Sequence, residues 1–197
     1  MANFKAPYKI APERSDYIIT GASGALTTVA ADAAVWSMQW TSASLIAVVK
    51  RVSIALGVTT AYGTAQTTAY GLYFARSFTV ADSGGTALTL TTNNGKMDTN
   101  FPTTAVGGLR ISTTGALTDG TRTLDAQPND VVTFGTTALG FAFNWDFQFG
   151  GTEEKSQLIL RQNEGLVLNN LILMGATGVV KLYVTVEWAE VDKGVVR

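Results

Sequence analysis

An alternating aromatic segment constrains the fold of this 197-residue chain more than any other feature. Between residues 141 and 149 every odd position is aromatic, in the order Phe141, Phe143, Trp145, Phe147 and Phe149, and small or polar residues lie between them. A period of two places successive side chains on opposite faces of an extended strand, whereas a helix would distribute them around its axis. The segment therefore predicts a half-buried antiparallel strand with one aromatic face.

This aromatic face has two readings that the sequence leaves open. Five aromatic side chains represent roughly 750–1,250 Å² of surface, which a monomer does not leave in water without consequence. The face either packs into the core or forms a subunit interface. A sugar-stacking platform is disfavoured, because four of the five residues are Phe. The candidate interface residues of the whole chain are Phe4, Tyr8, Trp36, Trp40, Phe141, Phe143, Trp145 and Phe147.

Further segments predict strands that are joined by turns. The chain holds 28 threonines and 20 glycines, and this β-branched excess with glycine punctuation favours strands. Leu45–Leu56 fits either a strand or a helix face, and its β-branched residues favour the strand; Thr67–Arg76 is predicted to hold a helical turn or two. The other predicted strands are Val35–Trp40, Leu109–Thr113, Val131–Phe134, Lys155–Arg161, Leu166–Met174 and Val180–Trp188, with a turn at Asn163–Gly165.

Eight or more short strands predict an all-β fold, an antiparallel β-sandwich of jelly-roll type. Residues 15–197 are expected to form this single domain. Residues 1–14 contain Pro7 and Pro12 and show no sustained periodicity, so we expect an extended N-terminal arm there.

Composition excludes several kinds of chemistry. The chain has no Cys and no His, which removes disulfides, thiolate nucleophiles, zinc fingers and histidine-based triads. The net charge of −1 provides no general attraction for nucleic acid or anionic lipid. The longest apolar run, Leu45–Val49, is far shorter than the ~20 residues of a membrane helix. No secretory signal is visible, and we expect a soluble protein that contacts neither nucleic acid nor membrane.

Two short motifs resemble enzyme fingerprints and are better explained as turns. Tyr17–Leu26 is similar to the dinucleotide-binding segment of short-chain dehydrogenases, but Thr27 replaces the third glycine and no acidic ribose ligand follows. Asp82–Gly85 resembles the nucleophile segment of chymotrypsin-like proteases, which requires a histidine that this chain lacks. Asp, Ser and Gly are typical turn residues.

Carboxylates are the remaining candidates for catalysis or metal binding. Glu187 and Glu190 would point to opposite faces of a strand, and Glu164 is expected to stabilise a turn rather than act in a hydrolase. A calcium site built from Asp119, Asp125, Asn129 and Asp130 lacks EF-hand spacing. The sequence therefore predicts no catalytic residue, no cofactor and no metal ligand.

Three stretches resemble virion structural proteins of tailed bacteriophages, of the capsid decoration or cement type. They are Ala75–Thr86, Leu109–Thr121 with its continuation Leu124–Pro128, and Arg161–Leu166 running on to Val184–Val191. The resemblance covers most of the chain after about residue 30 and rests on turns and strands.

The resemblance implies a non-enzymatic homo-oligomer, with a trimer as one option, that binds the outer capsid surface. Its partners would be the major capsid protein and further copies of itself, and its location the virion after synthesis in the host cytoplasm. Three alternatives stay open. They are a tail-associated or host-surface-binding adhesin that could use Trp36, Trp40 or Tyr62 for stacking, a jelly-roll shell protein, and a carboxylate-based hydrolase whose turnover Glu164→Gln would abolish.

Overall fold

The computed structural model describes residues 15–91, 93–136, 142–149 and 157–194. These residues form twelve β-strands and no helix. The strands are β1 (Ser15–Ala22), β2 (Ala33–Trp40), β3 (Leu45–Thr60), β4 (Gln66–Val80), β5 (Thr86–Ala87), β6 (Val106–Ile111), β7 (Thr121–Leu124), β8 (Asp130–Thr136), β9 (Ala142–Gln148), β10 (Leu158–Leu160), β11 (Glu164–Asn170) and β12 (Val179–Asp192).

The strands form two antiparallel sheets that pack face to face. Sheet A has the order β1-β12-β3-β10, and β9 pairs with β3 beside β10. Sheet B has the order β5-β6-β2-β11-β4-β7, and β8 pairs with β4 beside β7. The predicted all-β sandwich is confirmed; the jelly-roll connectivity stays a prediction. The predicted N-terminal arm, residues 1–14, lies outside the described residues.

The core lies between the sheets and is rich in large aromatic residues. Trp36 and Trp40 of β2 and Trp188 of β12 are fully buried. Tyr17 of β1 stacks on Trp188 with ring centroids 5.3 Å apart. The indole N–H of Trp40 donates to the Leu45 carbonyl at 3.0 Å, so the polar group of this buried ring has a hydrogen-bond partner.

A smaller apolar cluster lies on the opposite face of sheet B. Ala75, Phe78 and Val167 belong to it, and Leu117 covers them. The covering segment is held by a hydrogen bond from the Leu117 amide to the Ala34 carbonyl at 2.8 Å and by a β-bridge between Ser83 and Thr118. Sheet B is therefore protected from solvent on part of its outer face.

Most predicted strands are confirmed, and one prediction is wrong. The ambiguous segment Leu45–Leu56 lies within β3, as its β-branched residues indicated. The helical turn predicted for Thr67–Arg76 is wrong, because the whole segment lies within β4. Hydrogen bonds to β11 on one side and to β8 and β7 on the other hold β4 extended, and none of these partners is local in sequence.

The turn before β11 lies slightly earlier than predicted: Gln162 and Asn163 form it, whereas Glu164 and Gly165 are the first residues of β11. Asn163 has a φ of 62°, a left-handed conformation that Asn tolerates better than most residues. Its carbonyl accepts from the Phe78 amide at 2.7 Å, and its amide donates to the Trp40 carbonyl at 2.8 Å. The turn therefore links β11 to both of its neighbours in sheet B.

Candidate interaction surface

The aromatic segment forms β9, which lies at an edge of sheet A. Its aromatic side chains differ in exposure along the strand. Phe147 is buried and belongs to the core, and Phe143 packs against the core while remaining partly exposed. Trp145, between them on the same face, is 42% exposed. The core reading is therefore confirmed for Phe147 and Phe143, whereas an interface role of Trp145 stays a prediction. Phe141 lies outside the described residues.

A ladder of aromatic rings joins the two sheets at this edge. The ring of Tyr70 lies 5.9 Å from that of Phe134 of β8, and Phe134 stacks on Phe143 at 5.3 Å. Phe143 in turn stacks on Trp145 at 6.4 Å with an interplanar angle of 11°. The exposed indole is thus the outermost ring of a ladder that begins in the core, where burial raises the pKa of Tyr70.

Backbone geometry distinguishes the two edges of sheet A. At β1, the loop after β5 covers the edge: the Ile18 amide donates to the Gly95 carbonyl at 2.7 Å, and the Met97 amide donates to the Asp16 carbonyl at 3.0 Å. In the part of the chain that the structure describes, β9 pairs with β3 alone. Its other side presents backbone donors and acceptors that could pair with a further strand.

The outer face of sheet A carries a shallow depression of about 360 Å³. Small residues of β3 and β9 form its floor, and Tyr183 of β12 and Asn144 of β9 stand at its sides. Tyr183 is 41% exposed. Sequence reasoning did not select Tyr183, although the alternation of β12 places it on the polar face together with Lys181 and Thr185.

Two predicted interface residues are corrected by the structure. Trp36 and Trp40 are both 0% exposed, so they pack in the core and are not available for contact with a partner. They face inwards because alternate residues of β2 point into the core, and no sheet edge exposes them because β2 lies between β6 and β11. Tyr62 is also buried, at 7% exposure, which removes all three side chains suggested for stacking. Phe4 and Tyr8 lie outside the described residues.

The carboxylates considered as catalytic or metal-binding groups form hydrogen bonds and ion pairs within the fold. Glu164 accepts a hydrogen bond from the Arg161 amide at 2.7 Å, which stabilises the turn before β11. Asp125 pairs with Arg76 at 2.9 Å, and Asp119 pairs with Arg122. The four residues of the suggested calcium site therefore do not assemble, and no group of three or more acidic residues among the described ones is placed to hold a metal ion.

Two carboxylates are buried more deeply, and each has local donors. Asp82 accepts from the Gly120 amide at 2.8 Å and pairs with Arg122, whose pKa burial lowers to about 10. Glu190 accepts from the Ala105 amide at 3.0 Å and from the Trp188 indole at 3.3 Å, and burial raises its pKa. Both groups connect loops to the sheets.

Only one of the two enzyme-like motifs is a turn. The turn predicted within Tyr17–Leu26 is wrong, because the chain continues antiparallel along β12, from Ala22 opposite Tyr183 to Leu26 opposite Val180. Residues of the Tyr17–Leu26 segment form β1 and a β-bridge from Leu26 to Val180, with no helix following the glycines. In the Asp82–Gly85 turn, Gly85 has a φ of 55°, and a Cβ there would lie 2.3 Å from the Ile111 carbonyl oxygen. Only glycine fits this position.

No protein-family model and no curated protein sequence matches this chain. Within the described ranges, no helix is long and apolar enough to span a membrane.

Proposed function

We propose that this protein is a non-enzymatic virion structural protein of a tailed bacteriophage. In this proposal it binds the outer capsid surface as a homo-oligomer and stabilises contacts between neighbouring major capsid subunits. The observation that carries the proposal is the arrangement of the exposed surface: a two-sheet framework presents an aromatic edge at β9, where Trp145 is exposed, beside the outer face of sheet A. The resemblance of the three strand-and-turn stretches to decoration proteins supports it.

The side-chain contacts favour a structural role over catalysis. Glu164 holds a turn, and Asp82 and Glu190 are buried and engaged by backbone donors from loops. Each of these carboxylates connects two segments of the chain, and general acid–base catalysis would instead require it to be within hydrogen-bond reach of a substrate. A protein that reinforces a shell needs this kind of rigid, low-charge surface.

Capsids prepared without the protein provide the test. Purified full-length protein should occupy such capsids at saturable sites and raise their resistance to mechanical or thermal disruption. A variant that lacks residues 1–14 should fold normally, as measured by circular dichroism, and should show reduced occupancy, because we expect the arm to reach a neighbouring subunit. Absence of binding by the full chain contradicts the proposed function, and unchanged occupancy of the truncated chain contradicts the role of the arm.

A host-surface-binding role is the second candidate, and Tyr183 favours it. An exposed tyrosine beside a depression with an amide side chain offers a flat apolar ring together with hydrogen-bonding groups. If this candidate is right, the isolated protein binds glycans or host cells, and Tyr183→Ala abolishes that binding without loss of fold. Glycan binding together with no capsid binding would replace the first proposal by the second.

A further inference from the structure

Strand β9 has a sequence that is complementary to itself, and its side away from β3 pairs with no other strand among the described residues. Residues 143–147 read Phe-Asn-Trp-Asp-Phe, so the order of residue types is nearly the same in both directions around Trp145. The strand contains no Lys, Arg or Pro, which are the residues that usually protect an exposed edge from pairing. Its single charge is Asp146.

The pairing with β3 determines which backbone groups of β9 point outwards. The Phe149 amide donates to the Lys50 carbonyl opposite it at 2.9 Å. Hydrogen-bonded and non-hydrogen-bonded pairs alternate along an antiparallel ladder, so the backbone groups of Phe143, Trp145 and Phe147 are directed to β3. The amides and carbonyls of Asn144 and Asp146 are therefore directed away from β3, towards the free side.

We infer that two copies of the chain associate through β9, antiparallel and around a two-fold axis at Trp145. In this register Asn144 of each copy lies opposite Asp146 of the other copy, and their outward backbone groups exchange hydrogen bonds. The two indoles meet at a non-hydrogen-bonded pair, where side chains approach most closely. Sheet A of one copy then continues into sheet A of the other.

Charge selects this register over its neighbours. A symmetric register centred on Asp146 would place the two carboxylates opposite each other, which is unfavourable. A register centred on Asn144 would place Asp146 opposite Ala142 and leave its charge without an amide partner. A register centred on Trp145 places the Asp146 carboxylate of each copy opposite the Asn144 amide of the other. It also brings Phe143 opposite Phe147 on the aromatic face.

This inference goes beyond the proposed function, because it concerns the purified protein and holds whether or not a capsid is bound. It names a two-fold dimer where the resemblance offered a trimer as one option. A dimer without capsid binding would contradict the proposed function alone. Capsid binding by a monomer would contradict this inference and the homo-oligomeric state, and would leave the proposed capsid binding intact.

Charge exchange at the two paired positions tests the register. Sedimentation velocity over a concentration series should show that the full-length protein dimerises. Asn144→Asp places like charges opposite each other at two symmetric sites, and we expect the dissociation constant of the dimer to rise about tenfold. The double variant Asn144→Asp/Asp146→Asn restores carboxylate–amide pairing and should recover most of the affinity. A monomeric wild-type protein, or a double variant no better than Asn144→Asp, would overturn the inference.

Cysteine cross-linking provides a second measurement that does not depend on affinity. The chain has no cysteine, so any disulfide reports the introduced residue. Residues at a non-hydrogen-bonded pair have Cα atoms about 4.5 Å apart, within the range of a disulfide, so Trp145→Cys should give a covalent dimer under mild oxidation. In the matched control Asn144→Cys, the equivalent Cα atoms are about 8 Å apart, too far for a bridge. Efficient cross-linking of the control, or none at position 145, would contradict the register.

Discussion

Buried charge is the feature of single residues with the largest expected effect on stability. The side chains of Arg122 and Asp82 are 4% and 0% exposed, whereas those of Arg76 and Asp125 are 54% and 30% exposed. Loss of one partner in the first pair leaves an uncompensated charge away from water. The second pair is screened by solvent, so its contribution is small.

Arg122→Met is therefore expected to lower the free energy of unfolding by about 3–5 kcal/mol, as measured by urea denaturation. The matched variant Arg76→Met should cost less than about 1 kcal/mol. Replacing both buried partners, in Asp82→Asn/Arg122→Met, should cost less than Arg122→Met alone, because no buried charge remains. Equal losses in the Arg122 and Arg76 variants would show that the buried pair is not the dominant contact.

The raised pKa of Glu190 predicts that the stability of the protein depends on pH. Burial raises its pKa in the folded state above that in the unfolded chain, so the folded protein binds more protons between the two values. The contribution of Glu190 to the free energy of unfolding therefore increases as the pH falls from neutral through this window. It becomes constant below the unfolded value of about 4.3.

Glu190→Gln isolates this contribution, since the amide oxygen can still accept from the Ala105 amide. We expect the wild type to gain stability relative to the variant as the pH is lowered from neutral to about 4.3. Denaturation curves of both proteins across this range measure the difference. A difference that does not change with pH would mean that Glu190 titrates normally in the folded state.

At the scale of elements, close packing of β11 against its neighbours explains why position 165 is a glycine. A Cβ at Gly165 would lie 2.3 Å from the Met38 carbonyl oxygen and 2.6 Å from the Phe78 ring. A Cβ at Gly57, on β3, would meet nothing within 4 Å. The two glycines therefore differ in packing although both lie in strands.

Gly165→Ala should destabilise the protein by about 1–3 kcal/mol, because β11 or the Phe78 ring must move. Gly57→Ala serves as the control and should change the free energy of unfolding by no more than about 0.5 kcal/mol. The midpoints of guanidinium denaturation measure both effects. Similar midpoints for the two variants would show that sheet B accommodates a methyl group at this position.

At the scale of the whole molecule, the two edges of sheet A differ in ways that matter for assembly. Residues 1–14 join the sandwich at Ser15, the first residue of β1, whose edge is covered by the loop at Gly95. The inferred dimer uses β9, at the opposite edge. The inferred dimer therefore leaves the covered edge at β1 outside the contact between the two copies.

Much of the fold follows from local patterns in the chain. Alternation of apolar and polar residues located β2, β9 and β12, and Asn163 marked the turn before β11, because the period of side chains and the conformational preferences of turn residues act over a few neighbours. The absence of histidine likewise excluded the protease-like reading of Asp82–Gly85 before any contact was known.

Exposure, by contrast, depended on which strands became neighbours. Trp36 and Trp145 both lie in alternating segments, yet one is buried in an interior strand and the other is exposed at an edge. The segment Thr67–Arg76 is extended because partners distant in sequence supply its hydrogen bonds. A residue's periodicity is local, whereas strand order and sheet edges arise from contacts across the whole chain, so the surface available to a partner emerged only with the packed sheets.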